Sequence, residues 1–138
     1  MATWQSFLRG ARRFWEVARA IDAPGYTNQA VSNAVHAVIA ANDAFCLFHL
    51  GERAAGEAHT EAVAVLRRAC RGTRFEPEAT RKAHQLADVL QAKSLAQYSG
   101  RQLDASAAQR IMKQAERFID WIVAALPTPE PDETERTD

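Results

Sequence analysis

Between Thr27 and Leu50 the chain reads TNQAVSNAVHAVIAANDAFCLFHL, with apolar residues at Ala30, Val31, Ala34, Val35, Val38, Ile39, Ala41, Phe45 and Phe48. Steps of three and four mark the face of a helix, and so many alanines allow neighbouring helices to approach closely. A segment of this length and character is expected to be the central element, with Thr27 as its N-cap and Gly51 as its left-handed stop. The rest of the chain must pack around it.

The flanking segments carry the same period. Gln5–Ile21 presents Phe7, Leu8, Ala11, Phe14, Trp15, Ala18 and Ile21, and Pro24-Gly25 then marks a turn. A third helix is expected from about Gly56, turning Ala62, Val63, Leu66, Ala69 and Cys70 inward, with Arg67, Arg68, Arg71 and Arg74 outward or near its end. Glu78–Lys93 carries Ala83, Leu86, Val89 and Leu90, followed by an expected loop over Ser94–Asp104. The last helix, Ala105–Leu126, presents Ala108, Ile111, Met112, Ala115, Phe118, Ile119, Ile122 and Val123. No alternating strand pattern is visible. The expected fold is all-α, an antiparallel bundle of about five helices joined by short loops.

A chain of 138 residues, 47% of them hydrophobic, suits one core. Residues 1–126 are read as a single domain and 127–138 as an acidic tail. In that tail Pro127, Pro129 and Pro131 forbid a continuing helix, and five acids stand against one base. Overall charge is zero, so the preceding body has 16 bases against 12 acids, a net of +4 that permits a nucleic-acid partner without requiring one. The N-terminus lacks the order of a secretion signal, and no run approaches the roughly 20 apolar residues that cross a bilayer. A soluble, cytoplasmic protein without membrane association is expected. Cys46 and Cys70 fall on apparently buried faces and read as small hydrophobes; no metal or other cofactor is expected.

Chemistry is expected in the connection Leu50-Gly51-Glu52-Arg53-Ala54-Ala55-Gly56-Glu57-Ala58-His59. Arginine followed within a few residues by histidine means little as spacing alone. With 14 arginines and 4 histidines, about one such pair arises by chance. Placement adds more. A histidine in a helix's first turn faces the end that holds anions. A neutral imidazole beside a phosphodiester can take a ribose proton while an arginine balances the phosphate charge. His36 and Asp43, seven residues apart, share nearly one face of the long helix. Asp43 is read as a structural polar partner, paired with Lys93 or Arg53. His49 and His84 have no companions and are expected at the surface.

Three segments together resemble the HEPN domains, named for higher eukaryotes and prokaryotes nucleotide-binding. They are Ala34-Val35-His36-Ala37-Val38-Ile39-Ala40-Ala41-Asn42-Asp43-Ala44, the Arg53…Gly56-Glu57-Ala58-His59 junction, and Lys93-Ser94-Leu95-Ala96-Gln97-Tyr98. The resemblance covers about residues 26–123. It implies a homodimer and a metal-independent endoribonuclease in which Arg53 steadies the scissile phosphate and His59 acts as base or acid. It also implies a possible cognate antitoxin or defence-system partner. A second reading is a non-catalytic module that binds RNA or nucleotide through Lys93, Tyr98 and Arg101, or binds a protein through an apolar face. Tyrosine stacks on bases and lysine holds phosphate.

Overall fold

The computed structural model describes residues 3–54, 59–98, 100 and 102–128, and of Gln97 and Tyr98 the backbone alone. Five α-helices follow one another: α1 Trp4–Ala20, α2 Thr27–Leu50, α3 His59–Cys70, α4 Ala79–Tyr98 and α5 Ala105–Ala125. A short 3-10 turn, Glu76–Glu78, leads into α4. No strand occurs among the described residues, and the all-α class read from the sequence is what forms.

α2 is the hub. It packs against α1, α3, α4 and α5, and its buried face includes Val31, Val35, Val38 and Phe45 between fully enclosed alanines. Side chains as small as Ala34, Ala37, Ala41 and Ala44 leave room for helices on several sides of one cylinder. α1 runs antiparallel to α2: Trp4 meets Phe48 edge-on at 5.1 Å, while Phe14 lies against His36 at 5.3 Å. Leu8, Leu66, Leu86, Phe118 and Ile122 complete the core from the other four helices. Each such side chain contributes about 1.5–3 kcal/mol on burial.

Local chemistry accounts for the helix ends. Thr3 and Ser6 form a reciprocal capping box at the start of α1, and Asp104 accepts the Ser106 amide at the start of α5. Gly51 ends α2 with φ of 77°, where a side chain would strain the backbone. Leu126 is extended ahead of Pro127, as the proline ring demands.

Four details depart from the sequence expectations. The N-cap of α2 is Tyr26, without a side-chain cap, and Thr27 already has helical backbone. α4 continues through Ser94–Tyr98, because nothing in that segment breaks a helix before Gly100, whose φ is 70°. α2 is long and apolar enough by length and composition to cross a bilayer, yet 67% of its apolar window is buried within the bundle, as befits a core helix. Finally, His49 is half-buried, with its Nε2 enclosed, rather than a surface residue. The expected helix start at Gly56, and the tail beyond Thr128, lie outside the described residues.

Candidate functional site

The α2–α3 connection is tied to the bundle at three points. Gly51 turns the chain out of α2, and the next residue, Glu52, accepts a hydrogen bond from the Arg68 guanidinium at 2.8 Å, bracing the connection against α3. Arg53 then folds back toward α2, its Nη1 3.7 Å from an Asp43 carboxylate oxygen and its guanidinium carbon 5.1 Å above the Phe7 ring of α1. Cation–π contact of this kind is worth about 0.5–1 kcal/mol when partly exposed. Three helices thus bear on one guanidinium or its connection. Half of the Arg53 side chain remains open to solvent, whereas that of Asp43 is 9% exposed.

Of the two partners expected for Asp43, Arg53 is the one it meets. Burial raises the Asp43 carboxyl to about 6, and the Arg53 charge pulls it back only in part. An ionised carboxylate there is costly, which is why its neighbour must be a cation held close. The adjacent Asn42 is also buried and accepts from the Cys46 thiol at 3.7 Å. Burial foremost, then the Asp43 charge, push that thiol far above the ordinary range, so it is held as a neutral group.

His59 is the first residue of α3 and is half-buried. Residues 55–58, which join it to the Arg53 segment, lie outside the described residues. The arrangement provides a fixed cation before a helix start and an imidazole at that start, where first-turn backbone amides have no partner within the helix.

Lys93 belongs to a different neighbourhood. It is half-buried on α4, and its charge reaches His36 on α2; burial first, and that charge second, lower the imidazole's pKa. Tyr98 ends α4, but its side chain, like all of Arg101, lies outside the described residues. No group of three or more potential metal ligands occurs among the described residues.

A polar–aromatic cluster near the C-terminal end of α2 escaped the sequence reading. His49 contacts Phe45 at 4.4 Å, Phe48 at 4.9 Å and Phe75 at 5.3 Å, and its buried Nε2 has no hydrogen-bond partner. Burial lowers the imidazole's pKa, a hydrogen bond to the Ala125 backbone opposes that, and the Arg74 charge adds to the lowering. Trp121 stacks on Phe45 at 5.0 Å and donates its indole N–H to Glu78 at 2.8 Å. Lys82, buried, lies 5.5 Å from the Trp121 ring and donates to Gln85. The available signals were the Phe45/His49 spacing of four on α2 and Lys82 falling in register with Leu86, Val89 and Lys93 on α4. Trp4, Phe7 and Trp121 are half-buried and packed against the core.

No family model, curated protein or solved structure matches the chain.

Proposed function

We propose that this chain is a HEPN-like domain that cleaves RNA without a metal, using Arg53 and His59. What carries the reading is the hold on Arg53: a half-exposed guanidinium fixed by the buried Asp43 and the Phe7 ring, in the connection that leads to a histidine at a helix start. A freely solvated loop arginine would have neither anchor. Fixing the cation before substrate arrives lowers the ordering cost of charge stabilisation when the phosphorane forms.

In the proposed step, His59 accepts the proton of a ribose 2′-hydroxyl. The 2′-oxygen attacks the adjacent phosphorus, and the bond to the 5′-oxygen breaks. Arg53 neutralises the charge gathering on the non-bridging oxygens. The leaving 5′-oxygen takes a proton, giving a 2′,3′-cyclic phosphate and a free 5′-hydroxyl. One imidazole cannot be both base and acid in the same step, so a homodimer that brings two copies of His59 to one cleft is the arrangement proposed. An enzyme of this kind in the cytoplasm needs restraint, which fits a cognate antitoxin or a phage-defence setting.

The test is cleavage of a mixed-sequence RNA in EDTA by the wild type, His59→Ala and Arg53→Ala, with circular dichroism to check each fold. Loss of about 10²–10⁴ in rate in each variant is expected for a general base and a charge-stabilising arginine. An unchanged rate in either folded variant removes that residue from the mechanism. RNA binding without cleavage by the wild type would instead make the chain a binding module, with Lys93, Tyr98 and Arg101 the residues to test.

A further inference from the structure

α1 and α5 both pack on α2, and between them an open groove of about 700 Å³ remains. Trp15, Arg19 and Asp22 line one wall, at steps of four and three along α1 and just past its end; Arg110, Lys113 and Glu116 line the other at steps of three along α5. It starts two turns along α1 from Phe7, roughly 12 Å from the Arg53 anchor at the helical rise. Each wall therefore presents a regular helical face, and the two faces converge.

The lining combines three kinds of recognition. Trp15 is half-buried and packed against the core, so its ring has a fixed position, while Arg19, Arg110 and Lys113 are exposed. Among the described residues none of these three cations forms an ion pair. Asp22 and Glu116 add two exposed carboxylates, so these six residues carry three positive and two negative charges.

We infer that this groove binds a ribonucleoside phosphate, either free or within single-stranded RNA: the base stacks on Trp15, the phosphate meets Arg19, Arg110 and Lys113, and a carboxylate accepts from ribose hydroxyls. Each part has a physical reason. An indole face is a stacking platform for any base, and two or three cations suit a phosphate. Carboxylates would repel a bare polyanion, but they accept hydrogen bonds from a sugar that carries adjacent hydroxyls. A volume of about 700 Å³ lies within the roughly 300–1,000 Å³ of small-ligand sites. The inference does not depend on cleavage at Arg53 and His59.

Calorimetric titration of the full chain with ATP, dATP, tripolyphosphate and hexaadenylate RNA tests it. ATP or the RNA should bind, with dATP weaker and tripolyphosphate weaker still; ATP alone would mark a free-nucleotide site, and tighter RNA binding a strand-binding groove. Arg110→Gln with Lys113→Gln, on exposed helix surface, should weaken binding roughly tenfold or more, and Trp15→Leu should remove the advantage of ATP over tripolyphosphate. The inference is overturned by absence of binding to both ATP and RNA, by tripolyphosphate binding as well as ATP, or by indifference to the Arg110/Lys113 pair, which would place the ligand at another site.

Discussion

Replacing Asp43 by asparagine keeps the side chain's size and removes its charge from a buried position. The folded carboxyl stands at about 6 against an ordinary value of 3.8. Between those values the native state binds the proton more tightly than the unfolded chain. Stability from this group is therefore fully present at low pH and falls as pH rises through about 6. A shift near two pH units corresponds to about 3 kcal/mol, most of which falls between pH 4 and pH 7. Urea unfolding followed by far-ultraviolet circular dichroism, with linear extrapolation, gives the stability of wild type and Asp43→Asn at each pH. Other titrating groups largely cancel in the difference between the two proteins. Wild-type stability relative to Asp43→Asn should fall by about 2–3 kcal/mol across that range. Arg53→Ala, tested in the same way against Asp43→Asn/Arg53→Ala, should deepen the fall, because it removes the attraction that holds the carboxyl down. A difference between wild type and Asp43→Asn that stays constant from pH 4 to pH 7 refutes the reasoning: Asp43 would then be solvated in the folded protein.

His49 carries the opposite sign. Its imidazole is depressed in the fold, so the stability it permits is complete above the unfolded value near 6.5 and is lost as pH falls below it; His49→Phe should lessen that acid-side loss in the same urea series. Phe118, fully buried on α5, should cost about 3–5 kcal/mol when changed to alanine, measured by urea unfolding. Gly51→Ala places a side chain at φ of 77° in open space, so the cost is backbone strain alone, about 1 kcal/mol, read as a lowered thermal midpoint.

Much of the bundle was legible because its signals are local. The Thr27–Leu50 segment of alanines and β-branched residues, closed by a glycine, gave α2 its observed bounds, and the apolar stripes of α1 and α5 placed Leu8, Ala11, Phe118 and Ile122 in the core. Errors arose where a polar residue stands in for a breaker without being one. Ser94 looked like the start of a loop, yet a lone serine costs a helix only a few tenths of a kcal/mol relative to alanine, and α4 runs on to Tyr98. The site was legible only in part. Arg53 and Asp43 were named as possible partners from the sequence, but the choice of Arg53 over Lys93 depends on how the chain turns after Gly51, and the Phe7 platform depends on how α1 lies across α2. Likewise, His49 meets Phe75 from the turn before α4 and a cluster that includes Trp121 of α5, contacts that no local period encodes.

The twelve-residue α3 buries only Val65, Leu66, Ala69 and Cys70, and packs chiefly on α2 and α4. Amide exchange through local opening is set by how much must come apart, so its amides should lose protection well before those of α2, whose release would dismantle the entire core. Such an opening would take His59 with α3 and leave Asp43 and Phe7 on the two helices that anchor Arg53. Were α3 to open ahead of the rest, the two halves of the candidate site would separate without global unfolding, and on the proposed function a partner that bound the detached α3 would block cleavage.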